Sequence, residues 1–313
     1  MVDTSVRAYV QTRGTARATD YAFLGGAPPE PWWRAYRDRT SFDHPTVLVT
    51  SDGAGWAAYL SGIPSTRVDA VGTVVRYTLV VDGPCGAADA ACVPATVGAW
   101  LDDVAAGHGD RPGGRLAAAL DARFPADDVQ RWLAPAATDE GRTRPRGSNE
   151  GHFRRTGDVA SHSPAADEVR RRALAALASL PVPPTAADEP GDWVGAAGAP
   201  APRAAFTARV AALVDGAPGR ALLLNLLGEA ADAQPLLDSA SPVAVLLETT
   251  DPRLARCTAL PAVVEAKKAP SAARPTRRTG TAAVAGLAVL PAAAVIGMLV
   301  MTVLVVTLLV WLL

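Results

Sequence analysis

The sequence contains only two lysines, Lys267 and Lys268, so the first 266 residues contain none. A P-loop nucleotide site needs a lysine at the end of its glycine-rich loop, and Schiff-base catalysis needs a lysine amine. Neither chemistry is therefore available to this part of the chain. The sequence also lacks the His-Glu-x-x-His pattern of zinc proteases and the Gly-x-Ser-x-Gly turn of α/β-hydrolases. These absences exclude several common enzyme classes.

Charge is absent from the last 33 residues, Thr281 to Leu313. A helix needs about 20 apolar residues to cross a hydrocarbon core of roughly 30 Å, and Ala292 to Leu313 provides that length after Pro291. A buried core helix is the alternative, but such a helix normally keeps a polar face, which this segment lacks. The pattern therefore predicts a single C-terminal transmembrane helix that anchors the chain in a lipid bilayer.

The residues before this segment indicate its orientation. No acidic residue follows Glu265, and Met1 to Gly14 lacks the basic and apolar regions of a secretory signal. The positive-inside bias therefore predicts a single-pass protein of the cell membrane with its N-terminal domains in the cytoplasm. Five basic residues precede the uncharged segment. They could contact anionic headgroups, and a role in setting the orientation alone explains them equally well. The five basic residues are Lys267, Lys268, Arg274, Arg277 and Arg278.

Small residues in the anchor offer a possible contact between two copies. Ala293 and Gly297 are four residues apart, which is the spacing that lets transmembrane helices approach closely. This pair predicts a weak homodimer through the anchor. Alanine is abundant throughout the chain, so a chance occurrence is the alternative.

The remaining patterns divide the chain into five segments. Strands followed by helices predict an α+β interaction domain over residues 1–134, and a polar stretch without apolar periodicity predicts a disordered linker over 135–163. Alternating helices and strands predict a small α/β unit with two parallel strands over 164–261. A basic juxtamembrane linker occupies 262–280, and the transmembrane tail anchor occupies 281–313.

Cysteine, histidine and net charge give little sign of a cofactor, a metal or a nucleic acid. The three cysteines, Cys85, Cys92 and Cys257, are expected to be reduced in the cytoplasm. No second Cys or His pair accompanies Cys85 and Cys92 at zinc-ligand spacing, so we predict neither a metal site nor a cofactor. The net charge of −1 implies no general attraction to nucleic acid.

A hydrolase would have to use a few scattered residues. His44, Asp52 and Cys85 are the ones that could supply a base or a nucleophile, although the sequence gives no geometry for them. Asp52, Asp69 and Asp82 each lie beside or near glycine, and Asp-Gly pairs are typical of turns. We therefore interpret these aspartates as turn residues. We interpret the basic run Arg170 to Arg172 as a solvated helix face, with the binding of phosphate or of an acidic partner as the alternative.

Two segments carry a resemblance to a known family. Residues Tyr9 to Gly14 read YVQTRG, and Gly72 to Val81 read GTVVRYTLVV. The stretch from Val6 to about Leu133 resembles the N-terminal domain of bacterial GTPase-associated proteins, which are encoded beside GTPases and other components of signalling or conflict systems. The resemblance implies an interaction module without a known catalytic residue.

Together these observations predict a membrane-tethered cytoplasmic interaction or adaptor protein of a bacterial signalling or conflict system. Its partner would be an unidentified cytoplasmic or membrane protein. The alternative is a membrane-anchored hydrolase that uses His44, Asp52 or Cys85.

Overall fold

The computed structural model describes residues 5–15, 20–133, 164–182, 186–237 and 241–260. Within these residues, nine strands join into one sheet in the order β2-β1-β5-β4-β3-β7-β8-β6-β9. The strands are β1 (Arg7–Thr12), β2 (Ala22–Phe23), β3 (Thr46–Ser51), β4 (Gly55–Val68), β5 (Val74–Pro84), β6 (Trp193–Ala196), β7 (Gly219–Leu224), β8 (Val243–Leu247) and β9 (Thr258–Ala259).

The first five strands are antiparallel. A turn at Asp52 connects β3 to β4, and a second hairpin connects β4 to β5, so these neighbours in sequence also pair in the sheet. β1 then adds to the free side of β5. The central strand β3 is buried on both faces because Val47 and Val49 contact one core while Leu48 contacts the other.

In the described part of the chain, five α-helices contribute to the core on one face of the sheet. In α4, the buried residues Val169, Ala173, Ala176 and Leu177 recur at intervals that place them on one side of a helix. That side packs against β1 and α2. The helices are α1 (Cys92–Asp103), α2 (Arg115–Arg123), α3 (Ala126–Leu133), α4 (Pro164–Ala178) and α5 (Pro200–Val214).

The parallel strands β7, β8 and β6 place their connections on opposite faces. The path from β6 to β7 passes through α5, whereas the path from β7 back to β8 passes through the 310 helix Ala230–Leu236. The first connection runs from β6 past β8 to β7, and the second runs in the opposite direction from β7 to β8. Right-handed connections that run in opposite directions lie on opposite faces of the sheet. The packing agrees, since Phe206 of α5 lies in the helix-side core and Leu236 lies in the other core.

A second 310 helix, Trp32–Arg39, covers the face away from the α-helices. Trp33 stacks on Tyr59 of β4 at a ring-centroid distance of 5.3 Å. Asn225, which follows β7, fixes the chain after this helix because its side-chain amide donates to the Ser41 carbonyl and accepts from the Ser41 N–H. The face away from the helices is therefore covered by short turns and aromatic rings.

The predicted fold class, an α+β domain with a separate small α/β unit, is wrong. β3 pairs with β7 from Val47↔Leu223 to Ser51↔Gly219, so one mixed α/β sheet joins residues from both predicted units. Both strands bury apolar residues on both faces, and local periodicity cannot tell which distant strand such a segment pairs with. The predicted parallel pair is confirmed by β7 and β8.

None of the helices in the described ranges is long and apolar enough to cross a bilayer. The predicted linkers at 135–163 and 262–280 and the predicted anchor at 281–313 lie outside those ranges. The same holds for the five basic flanking residues and for Ala293 and Gly297.

Candidate binding cleft

A cleft of about 940 Å³ opens on the sheet face away from the α-helices. Its floor is a row of residues that are paired across five neighbouring strands. Arg7 pairs with Asp82, Asp82 with Ala57, Ala57 with Thr50, and Thr50 with Arg220. Because paired residues in a sheet point to the same face, all five side chains belong to one surface.

The adjacent row on the same face is apolar. It runs through Tyr9, Val80, Tyr59, Leu48 and Leu222 in the same strand order, and it belongs to or packs against the core on this side. The core therefore ends between the two rows, and the cleft begins there. Its depth in the middle follows from the small side chains of Ala57 and Thr50.

The segment before the 310 helix Trp32–Arg39, together with the first residue of that helix, forms one wall of the cleft. Pro28, Pro29 and Trp32 line it. Trp32 contacts Trp33 edge to face at 6.3 Å, and Trp33 is itself stacked on the sheet. Proline fixes its own backbone, and a packed indole has few alternative positions. This wall is thus held in place by the fold.

The charges of the cleft are mixed. At the β1 side, Arg7 Nε lies 2.6 Å from the Asp82 carboxylate, so this pair is locally neutral. At the β7 side, Arg220 donates a hydrogen bond to the Leu236 carbonyl oxygen. Glu30 and Asp52 add two further carboxylates to the lining.

Asp52 confirms its predicted turn role. Its carboxylate accepts hydrogen bonds from the backbone N–H groups of Gly55 and Ala54, each at 2.9 Å. These bonds lower the pKa of Asp52, so the carboxylate stays ionised at neutral pH. Asp69 has the same role in the next hairpin, where it accepts from Val71 and Thr73.

Asp82 does not have the turn role predicted for it. β5 continues through Asp82 to Pro84, so the Asp-Gly pair lies within a strand rather than at its end. The side chain of Asp82 therefore joins the cleft and pairs with Arg7.

The three residues of the hydrolase alternative are not brought together. His44 precedes β3 and Asp52 follows it, and the six-residue strand between them spans roughly 17 Å. Cys85 lies at the Asp52 end, where its sulfur is 3.7 Å from Ser51 Oγ and 3.8 Å from the Leu213 carbonyl oxygen. His44 instead lies 3.9 Å from Asp110. A base at His44 is therefore out of reach of the other two residues.

The described part of the chain contains no group of three or more His, Cys, Asp or Glu residues that could hold a metal ion. Burial, with a smaller effect from Asp89, raises the pKa of Cys92 to about 11, which disfavours a thiolate at that position.

The carboxyl edge of the parallel strands is the usual ligand site in α/β sheets, where phosphate groups bind the N-terminus of the next helix. Here α5 begins with Pro200, and Pro202 follows two residues later. Proline has no N–H, so this first turn lacks two of the donors that would hold a phosphate. The cleft lies at the opposite edge, where β7 begins.

Sequence reasoning identified none of the five residues on the floor of the cleft as a binding residue, since it interpreted Asp82 as a turn residue. One signal was present, because Arg220 is the only charged residue in the otherwise apolar strand Gly219–Leu224. The floor as a whole depends on which strands are neighbours, and this information is not local.

Comparison with known proteins adds no relative: no family model, no curated protein and no solved structure matches the chain. The resemblance to GTPase-associated N-terminal domains therefore stays a prediction.

Proposed function

We propose that the protein is a membrane-tethered cytoplasmic interaction protein and that its partner binds in the cleft between Arg7 and Arg220. The observation that carries this proposal is the polar row across five strands, which borders an apolar row and lies under a fixed aromatic wall. Concave surfaces with a few convergent polar groups are the usual binding sites of proteins.

The edges of the sheet favour this cleft over binding by strand addition. The two outermost strands, β2 and β9, contain two residues each. Very short edge strands offer few backbone groups to an added strand, and they are a common protection against pairing with another chain. The short edge strands therefore support a binding surface on a face of the sheet.

The proposed tether rests on sequence. The uncharged segment 281–313 follows five basic residues, as expected of an anchor whose preceding domains stay in the cytoplasm. Confinement to a membrane would raise the effective concentration of a partner at the same surface. A role in a bacterial signalling or conflict system fits such an arrangement.

The hydrolase alternative has less support. It requires a base and a nucleophile within hydrogen-bond reach, and His44 is separated from Asp52 and Cys85 by the length of β3. No other observation among the described residues favours catalysis at these positions.

The proposal is tested by blocking the cleft. Ala57 is partly exposed on the cleft floor, so Ala57→Trp should fill the cleft without replacing a core residue. The matched control is Ala70→Trp, because Ala70 is exposed in the β4–β5 hairpin outside the cleft. Tagged full-length protein is purified from detergent-solubilised native membranes, and the proteins that accompany it are quantified.

We expect a partner that accompanies the wild type and Ala70→Trp but not Ala57→Trp. We also expect the wild type in the membrane fraction, and a variant without residues 281–313 outside it. A partner set that is unchanged by Ala57→Trp would contradict binding in the cleft.

A further inference from the structure

We infer that the cleft binds an extended basic segment of the partner, with its arginine or lysine side chains directed to Glu30 and Asp52. The inference rests on the proposed function, because it names the chemistry of the partner for the same cleft. Three observations carry it: the charges of the lining that have no ion pair, the fixed position of the Asp52 carboxylate, and the composition of the wall.

The charges that line the cleft leave an excess of carboxylates. Both guanidiniums are engaged, since Arg7 pairs with Asp82, and Arg220 bonds to a backbone carbonyl and has a further partner. Glu30 and Asp52 form no ion pair with any residue that the structure describes. The lining therefore presents negative charge that complements a cationic partner and disfavours an acidic one.

The carboxylate of Asp52 is held in place with one oxygen available. The N–H groups of Gly55 and Ala54 both donate to Oδ1, and within the described ranges no donor bonds Oδ2. The same hydrogen bonds lower the pKa of Asp52, so the group is charged at neutral pH. A carboxylate that is already ordered loses little side-chain entropy when it binds a guanidinium or an ammonium group.

The wall of the cleft suits the stem of a long basic side chain. Pro28 to Trp32 reads PPEPW, so Glu30 is its only charged residue. The Nε1 atom of Trp32 is buried, and the indole therefore contributes only carbon atoms to the cleft. Arginine and lysine lay their methylene stems along apolar surface and keep the charged head at its border, and indole rings also attract cations. An apolar wall with one carboxylate matches a side chain with an apolar stem and a positive end.

The floor of the cleft is long enough for several residues of an extended chain. Arg7 and Arg220 are separated by four strand intervals. At about 4.8 Å for each interval, the floor spans roughly 19 Å. An extended chain advances about 3.3 Å per residue, so this distance corresponds to about six residues. A segment of this length can place two basic side chains along the cleft.

Selection from a random hexapeptide phage library tests this chemistry. The bait is the full-length protein in detergent, as the wild type, as Asp52→Asn and as Glu30→Gln. Asparagine keeps an oxygen that accepts the hydrogen bonds of the turn, so Asp52→Asn removes the charge and preserves the turn. The matched control is Glu248→Gln, since Glu248 is exposed and lies outside the cleft. Circular dichroism shows whether each variant is folded.

We expect the wild type and Glu248→Gln to enrich peptides with arginine or lysine, and Asp52→Asn and Glu30→Gln to enrich them less. A fluorescein-labelled peptide from the selection should bind each of these two variants about fivefold more weakly than the wild type, the upper range for one exposed ion pair. Citrulline in place of its arginine, which removes the charge, should weaken binding to the wild type. Diaminobutyrate, which keeps a positive charge on a shorter stem, should weaken it as well.

Enrichment of acidic or uncharged peptides by the wild type would overturn the inference. A preference for basic peptides that Asp52→Asn and Glu30→Gln both retain in full would also overturn it, because the charge would then be recognised elsewhere. Strong competition by spermidine would do the same, since the site would select charge without a peptide. If Ala57→Trp still loses the native partner in any of these cases, the interaction role stands. If Ala57→Trp loses nothing, the proposed function itself fails.

Discussion

Single residues determine the path of β4, the longest strand of the sheet. The register between β4 and β5 shifts between Leu60 and Ile63, and Gly62 lies at this shift with a φ of +79°. A side chain there would place its Cβ only 2.4 Å from the His44 carbonyl oxygen. Position 62 therefore requires glycine for two reasons. The backbone there is left-handed, and the chain before β3 approaches too closely to leave room for a side chain.

We predict that Gly62→Ala destabilises the protein more than Gly72→Ala does. Gly72 has a similar φ of +84°, but a Cβ at that position would meet no atom within 4 Å, so Gly72→Ala isolates the backbone cost. That cost is about 1–2 kcal/mol for a residue other than glycine. Gly62→Ala adds a clash with backbone atoms that cannot move aside easily. Equal losses of melting temperature by circular dichroism would contradict this account of the bend.

Asp121 joins α2 to the sheet through one carboxylate. It accepts hydrogen bonds from Ser65 Oγ at 2.5 Å, from the N–H and Oγ1 of Thr66 at 2.8 Å each, and from the Tyr77 hydroxyl at 3.0 Å. Tyr77 is fully buried, and burial raises the pKa of its hydroxyl, which stays a donor at neutral pH.

We predict that Asp121→Ala lowers the free energy of unfolding by about 2–3 kcal/mol, because it removes the acceptor of four hydrogen bonds and leaves the buried Tyr77 hydroxyl with only the Phe124 carbonyl oxygen at 3.4 Å. Tyr77→Phe removes the hydroxyl donor together with its hydrogen bond to Asp121, so it should lower the free energy of unfolding by only about 1 kcal/mol. The control Asp127→Ala alters an exposed acid of α3 and should change stability by less than about 0.5 kcal/mol. Urea unfolding measures all three, and a cost for Asp121→Ala no larger than that of the control would show that the network contributes little.

At the scale of elements, local sequence patterns predicted the helices and strands that are long or strongly periodic. The pattern from Ala126 to Leu133, which follows Pro125, predicts a helix, and α3 is observed with the same bounds. The strand Trp193–Ala196 was missed, because four residues in a proline- and glycine-rich stretch show no period. The pairing of β3 with β7 could not be predicted, since both strands are mostly apolar and the 167 residues from Asp52 to Pro218 lie between them.

Helices α3 and α4 are joined by a residue of the basic run. Arg172 contacts Asp128 at 2.5 Å and Glu168 at 2.6 Å, and its guanidinium lies 5.0 Å from the centroid of the Trp132 ring. The interpretation of this run as a solvated face therefore fails for Arg172. The hydrogen bond from Arg172, with the charge of Arg131, lowers the pKa of Asp128 below 3.8.

This lowered pKa predicts a pH dependence of stability. A carboxyl whose pKa is lower in the folded state stabilises the fold above its unfolded pKa, and the contribution is lost as the pH falls through the folded pKa. The melting temperature of Asp128→Asn should therefore lie below that of the wild type by a constant amount above about pH 5, and the gap should narrow below pH 3.8. If the difference in melting temperature between Asp128→Asn and the wild type is the same at about pH 3 as at about pH 7, the charge of Asp128 does not stabilise the fold.

At the scale of the whole molecule, the single sheet makes the two halves of the chain depend on each other. Val47 and Val49 of β3 are buried beside Ala221 and Leu223 of β7. Separating the halves would expose these apolar strands and break the backbone ladder between them.

We predict that the two halves stay together after the chain is cut between them. A specific protease site inserted within residues 135–163 should yield two fragments that elute as one species and melt in one transition. Residues 1–134 expressed alone should lack a cooperative transition, because β3 would have no partner on its β7 side. Fragments that separate and melt independently would instead favour two domains.

The central claim is that a partner binds in the cleft between Arg7 and Arg220, and site-specific photocrosslinking in native membranes tests it most directly. A photoreactive residue replaces Pro29, which is exposed on the cleft wall, or Val71, which is 66% exposed in a hairpin outside the cleft. We predict a covalent adduct from position 29 that disappears when Ala57→Trp is added, and no such adduct from position 71. Equal adducts from both positions, or an adduct at position 29 that survives Ala57→Trp, would contradict the account.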